Sequence, residues 1–278
     1  MRDVLLPGGV AVPALGQGTW LVGEGKRSAK DEEKALALGI DLGMSLIDTA
    51  EMYGSGKSEE LIGRVIKGQR DKVFLVSKVY PHNASREGVP KACGQSLKRL
   101  GVEKIDLYLL HWRGGFSLVE TVTAFEKLKT EGKIAAWGVS NFDASDMAEL
   151  AAVPGGKNCA ANQVLYHPDS RGIEFDLLPY CARQRIAVMA YSPLGHSGGP
   201  LRSRALAAVA KRHGATPAQI AIAWGIRHAH VISIPKAGNP AHVAENAGAA
   251  KIVLSADDLA MIDAAHKPPR GRQSLDML

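Results

Sequence analysis

Eight short apolar runs recur along the chain, beginning near Gly16, Leu46, Val73, Ile105, Ile134, Ala161, Ile186 and Val231. They start about 25 to 32 residues apart, with a longer gap of about 45 before the last, and one strand-plus-helix unit takes about 30. The runs do not alternate apolar with polar. Each is apolar throughout, as expected of parallel strands covered on both faces. Eight such strands separated by helical segments predict an α/β chain folded as a (β/α)8 TIM barrel.

The intervening segments carry helix signals. Ser117-Leu118-Val119-Glu120 reads as a capping box, in which Ser and Glu satisfy each other's free N–H groups, and Leu118, Val122, Phe125 and Leu128 form one apolar face behind it. Thr216-Pro217-Ala218-Gln219 combines an N-cap, a proline at the first helical position and a box partner. Leu61, Ile62, Val65 and Ile66 make another stripe, and Ser255 with Asp258 opens a last helix. The long final gap has room for an extra helix around residues 205–213. At the start, Val4-Leu5-Leu6 and Val10-Ala11-Val12 flank Pro7-Gly8-Gly9 and predict a β-hairpin. No linker or low-complexity stretch divides residues 1–278, which are read as one domain.

In such a barrel the chemistry sits just past the C-terminal ends of the strands. The apolar runs here exit onto Asp48, Lys78, His111, Ser140-Asn141, Gln163, Tyr191-Ser192 and Lys236, and Tyr53 follows Asp48 by five residues. Any one of these can be a structural end to a strand: Asp48 and Lys78 a buried ion pair, His111 a hydrogen-bonded core residue, Tyr53 a packing residue. The full row is poorly explained that way. Asp48, Tyr53, Lys78 and His111 facing one cleft can protonate a carbonyl oxygen, with the ammonium lowering the pKa of the tyrosine.

Composition narrows the classes. The formal charge is 34 − 28 = +6, enough to favour an anionic ligand, but no basic run interleaved with aromatics points to nucleic acid. No apolar run approaches a membrane span, and because Pro7-Gly8-Gly9 breaks the first apolar run, no secretion signal is expected. Three scattered cysteines, Cys93, Cys159 and Cys181, indicate a reducing compartment, with the cytoplasm as expected address. His228-Ala229-His230 is too isolated for a metal site, so no metal is expected. Gly54-Ser55-Gly56-Lys57-Ser58 lacks the first glycine of a phosphate loop.

The segments LIDTAEMYG, VSKVYP, LYLLHW, WGVSNF, NQVLYHP, AYSPLG and IPKAGNPAHVAEN together resemble the aldo-keto reductase family, in order and from end to end. Within it the chain is most similar to bacterial members of the methylglyoxal-reductase type. The resemblance implies a monomeric NADPH/NADP+-dependent oxidoreductase acting on small carbonyl compounds, with NADH possible. Tyr53 would be the general acid, supported by Asp48, Lys78 and His111. Trp20, Tyr53, His111 and Trp112 would surround the substrate. The cofactor would touch Gly18, Thr19, Trp20, Ser140, Asn141, Gln163, Tyr191, Ser192 and Leu194, and beyond them Lys236, Ala237, Gly238, His242, Glu245 and Asn246. Among these, Ser140, Asn141 and Gln163 would meet the carboxamide, Tyr191 the nicotinamide ring, Lys236 the 2′-phosphate, and Glu245 and Asn246 the adenine.

Departures from the family pattern carry their own expectations. Ala237 and His242 stand where many relatives have serine and arginine, which would soften the preference for NADPH. The loop at 195–200 and the tail after Ala265 are short, so an open pocket is expected. Two other functions fit the same residues: a lyase using Lys78 as a Schiff-base nucleophile, and a cofactor-binding regulatory subunit with little turnover.

Overall fold

The computed structural model describes residues 1–196 and 198–278, leaving Ser197 of the 195–200 loop outside the described residues. The chain opens on the expected hairpin, β1 (Asp3–Leu5) and β2 (Ala11–Pro13), paired antiparallel with Val4 opposite Val12. Eight parallel strands follow: β3 (Gln17–Gly18), β4 (Leu46–Asp48), β5 (Phe74–Val79), β6 (Ile105–Leu110), β7 (Ile134–Ser140), β8 (Ala161–Leu165), β9 (Ala187–Tyr191) and β10 (Val231–Ile234). Each pairs with its neighbour in sequence. Bridges Leu15–Ser233 and Gly18–Lys236 join the first strand to the last and close the barrel. That closure needs small residues. A Cβ on Gly16 would stand 2.7 Å from the Leu46 side chain, and one on Gly18 would stand 2.7 Å from the Ile234 carbonyl oxygen.

Among the described residues, ten α-helices cover the outside: α1 (Ala29–Asp41), α2 (Lys57–Ile66), α3 (Gly88–Leu100), α4 (Leu118–Thr130), α5 (Ala144–Ala152), α6 (Leu177–Gln184), α7 (Arg204–His213), α8 (Pro217–Gly225), α9 (Pro240–Gly248) and α10 (Ala256–Ala265). The extra helix in the final gap is α7. Full capping boxes open α8 at Thr216 and α10 at Ser255. At α4 only half of the expected box forms: the Ser117 hydroxyl accepts from the Glu120 N–H, while the Glu120 carboxylate accepts from that hydroxyl at 3.4 Å and no return bond to the Ser117 N–H forms. A complete box instead opens α5, between Asp143 and Asp146.

Two apolar layers hold the fold. Between barrel and helices pack residues such as Ile62, Leu75, Tyr108, Phe125, Trp137 and Trp224. Inside the barrel, Leu46, Val76, Leu107, Leu109, Met189 and Ile232 form a core whose lower end is stoppered by Val4, Leu6 and Val12 of the hairpin. Each such aliphatic side chain contributes about 1.5 to 3 kcal/mol by burial. With the bottom sealed, the upper rim is the open end. No helix among the described residues is long and apolar enough to cross a membrane.

Candidate active site

Strand register sets the charged pair. Asp48 ends β4 opposite Val76, and Lys78 follows two residues further along β5, so both side chains reach the same level of the rim. The segment after β4 is pinned beside them. Thr49 N–H donates to Val76 O, and Glu51 Oε1 accepts from the Tyr80 N–H at 2.7 Å and from Asn83 at 3.1 Å. A tight turn with Gly54 and Ser55 at positive φ then leads into α2 and holds Tyr53 over the barrel.

Lys78 Nζ spends its three protons on three partners: Asp48 Oδ2 at 2.8 Å, Thr49 O at 2.8 Å and the Tyr53 hydroxyl oxygen at 3.2 Å. Asp48 Oδ1 accepts from Gln163 Nε2 at 2.7 Å. Both charged side chains are buried. Burial alone would push the Lys78 ammonium down, but the Asp48 carboxylate and the Tyr53 oxygen more than reverse it, and the net direction is up. A lysine held charged in this way is a poor Schiff-base nucleophile.

Tyr53 corrects the expectation of a phenol already acidic in the free protein. Burial pushes its pKa up, and this outweighs the downward pull of Lys78. The phenol therefore keeps its proton, with the Lys78 ammonium 3.2 Å from its oxygen. His111 follows β6, with its ring centroid 5.7 Å from that of Tyr53. Burial, aided by Lys78, drives its pKa down to about 2. Its Nδ1 is buried without a hydrogen-bond partner among the described residues. The imidazole is thus neutral at pH 7 and suited to donating a hydrogen bond, not a proton.

A pH dependence of stability follows. A histidine with a depressed folded-state pKa stabilises fully above its unfolded value of 6.5 and loses that contribution as pH falls. At about 1.4 kcal/mol per pH unit, His111 should remove roughly 2 kcal/mol between pH 6.5 and about 5. Urea unfolding at both pH values should show this loss in the native chain and a shallower one in His111→Gln. Equal slopes would mean that His111 titrates normally.

Asp48, Tyr53 and His111 line one cavity of about 270 Å³, and Lys78 lies fully buried behind them, bonded to Asp48 and Tyr53. Of the sequence-derived contacts, Gly18, Thr19, Trp20, Trp112, Ser140, Asn141, Gln163, Tyr191, Ser192 and Lys236 line it too. Leu194, Ala237, Gly238, His242, Glu245 and Asn246 do not. They belong to the β9–α7 loop and the α9 end of the rim, and the Glu245 carboxylate accepts from Thr216 at 2.6 Å. Polar atoms in the cavity are already ordered. Tyr191 donates to Asn141 Oδ1 at 3.0 Å, Asn141 Nδ2 donates to His111 O at 3.3 Å, and Ser140 Oγ donates to Gln163 O at 2.8 Å. Asn141 and Ser192 hold φ of 58° and 47°, a conformation that non-glycine residues adopt mainly where surroundings enforce it.

Sequence reasoning missed Met52, Ile234, Met277 and Leu278, which also line the cavity. The last two correct the expectation of an open pocket. Arg272 lies 3.3 Å from Asp143 and 3.4 Å from Asp176, and Asp276 accepts from Ser170 at 2.7 Å. These contacts lead the tail back over the mouth. On the other side, His196 tilts against Trp20 with ring centroids 6.2 Å apart, so the short 195–200 loop also reaches across the rim.

The barrel rim thus gathers a charged Asp–Lys pair, a half-buried tyrosine and a neutral histidine, a set able to pass a proton to a carbonyl oxygen. The chain matches the aldo/keto reductase family over residues 14–267 and belongs to it; it is an oxidoreductase. It is 51% identical over 281 residues to methylglyoxal reductase YeaE of Escherichia coli, covering 100% of this chain and 99% of that one. It is 36% identical to glyoxal reductase of Bacillus subtilis, covering 96% and 94%. Among solved structures, an aldo/keto reductase of Klebsiella pneumoniae in complex with NADP and acetate superposes with a TM-score of 0.97 at 48% identity, covering 100% of both chains.

Proposed function

We propose that this protein reduces small aldehydes and dicarbonyls, methylglyoxal among them, to alcohols at the expense of NADPH, with Tyr53 as general acid. The observation that carries the reading is the buried Lys78 ammonium, bonded at once to Asp48 and to the Tyr53 oxygen, both of which line a small cavity beside neutral His111. The substrate oxygen would accept from Tyr53 and His111 together. Proton transfer from Tyr53 leaves a phenolate that Lys78 stabilises, and Asp48 keeps Lys78 charged and aimed.

NADPH, when bound, supplies the hydride. The cavity fits a dinucleotide's reactive end: it runs from Ser140 and Asn141 past Tyr191 to Lys236. The Asn141 amide retains a second N–H for a carboxamide, whereas the Gln163 N–H groups are engaged by Asp48 Oδ1 at 2.7 Å and more weakly by Met189 Sδ at 3.9 Å, so Gln163 would offer its amide oxygen as acceptor. The tyrosine ring of Tyr191 offers a stacking face, and burial pushes its phenol up to about 12, so it stays neutral there. The curated relative named a methylglyoxal reductase and the neighbour solved with NADP support the same pairing. About 270 Å³ under Trp20, Met52, Trp112 and Met277 sits below the usual range for drug-sized ligands and favours small substrates. The three cysteines are free and buried, in keeping with a reducing cytoplasm, and we take the working unit to be a monomer.

Loss of 340 nm absorbance on mixing the chain with NADPH and methylglyoxal tests the reading. Turnover is expected with small aldehydes and dicarbonyls, and little with bulky steroid-like ketones. NADPH binding without turnover across a panel of small carbonyls would instead indicate a regulatory subunit. Borohydride trapping of an adduct on Lys78 would indicate a lyase.

A further inference from the structure

Lys236 has company that the strand-exit pattern did not reveal. It precedes the turn into α9, and α9 itself contributes no lysine or arginine. The segment between β3 and α1 crosses to this turn instead. A Cβ built on buried Gly238 would stand 3.1 Å from Arg27 Cδ, 3.6 Å from Arg27 Nε and 3.7 Å from Glu32 Oε1. The Arg27 stem therefore rests on Gly238, two residues from Lys236, and no carboxylate among the described residues is in ion-pair contact with its guanidinium. The electrostatics agree with this crowding. Burial lowers the Lys236 pKa, and Arg27 and Lys26 lower it further, while Glu32 and Glu24 act in the opposite direction.

Glu32 explains why the segment sits there. It is 1% exposed. Its Oε2 accepts from the Gly23 N–H at 2.9 Å, which fixes the start of the segment that carries Lys26 and Arg27. Its Oε1 is buried with no hydrogen-bond partner among the described residues. A half-satisfied buried carboxylate is unfavourable alone; Glu32 Oε1 and the Arg27 side chain both approach Gly238, so the carboxylate attracts the guanidinium across a gap longer than an ion pair. Two cations converging on a helix N-terminus make an anion site, and a planar guanidinium adds the bidentate geometry that an ammonium lacks.

We propose that Arg27 is a second cation of the cofactor phosphate site, acting with Lys236 to select NADPH over NADH, and that Glu32 is the residue that positions it. The proposal rests on the reading that NADPH is the reductant. Its test is equilibrium binding of NADPH and NADH, followed by quenching of tryptophan fluorescence, without turnover. Losing one charge-assisted hydrogen bond weakens binding about 10- to 100-fold. Arg27→Ala should weaken NADPH by that factor and leave NADH within about twofold, as Lys236→Ala should, while Arg27→Lys should recover part of the loss. Glu32→Gln keeps an acceptor for Gly23 but removes the charge beneath the guanidinium, and should weaken NADPH by a smaller factor without touching NADH. Equal weakening of both nucleotides in Arg27→Ala, or no change in either, would overturn the assignment and leave the reductase reading standing. Failure of the native chain to bind NADPH would overturn both.

Discussion

Replacing Lys78 with methionine is expected to abolish measurable carbonyl reduction and to destabilise the chain by about 3 to 5 kcal/mol. Both effects follow from one geometry. The ammonium is buried, pairs with Asp48 at 2.8 Å and touches the Tyr53 oxygen at 3.2 Å. Removing it leaves a buried carboxylate with only Gln163 for company, and leaves the phenolate formed on proton transfer without its counter-charge. In a chain of this size the melting temperature should fall by roughly 10 °C. The Asp48→Asn/Lys78→Met double variant separates the two effects. It removes both charges, so most of the stability should return, while the reduction rate should stay at the level of the single variant. A double variant as unstable as the single one would mean that Lys78 acts through packing alone.

Tyr53→Phe should do the reverse: remove activity with the fold intact. Phenylalanine preserves the ring and deletes only the hydroxyl that Lys78 holds and that would meet the substrate. A positioned proton donor contributes about 10² to 10⁴ in rate, and the hydride step in a single turnover should slow by that factor. NADPH affinity should remain within about twofold of native, because the residues assigned to the cofactor lie on β3 and the segment after it and on β7 to β10 and beyond, not on the β4–α2 segment. Circular dichroism and melting should be nearly unchanged. Parallel losses in cofactor affinity and rate would assign Tyr53 to structure, and native rates would assign the proton to another group.

The barrel was legible because the strands are predominantly apolar with no period-two alternation and the helical segments recur at even spacing. The charged centre was legible for a related reason. A buried strand has no use for a terminal Asp, Lys or His unless another strand answers it, and β4, β5 and β6 answer one another. Capping chemistry was only partly legible: Ser117 and Glu120 have the right spacing, yet Glu120 stops at the hydroxyl, a choice that local sequence does not encode. What stayed hidden was whatever long-range packing decides. Met277 and Leu278 reach the cavity through contacts of Arg272 and Asp276 with residues about a hundred or more positions away in sequence. The direction of the Tyr53 shift depends on how completely the ring is buried, and motif spacing is silent on depth. Arg27 and Glu32 escaped notice because they follow no strand end; the β3–α1 loop and the first turn of α1 bring them to Lys236.

The most direct test of the central claim is a crystal structure of this chain with NADP+ and a small unreactive carboxylate in place of the carbonyl substrate. One ligand oxygen should accept hydrogen bonds from both the Tyr53 hydroxyl and the outward ring nitrogen of His111, each at about 3 Å, with the Lys78–Tyr53 contact preserved. A ligand oxygen held elsewhere on the rim, with the Tyr53 hydroxyl more than about 4 Å from it, would contradict the proton-donor role.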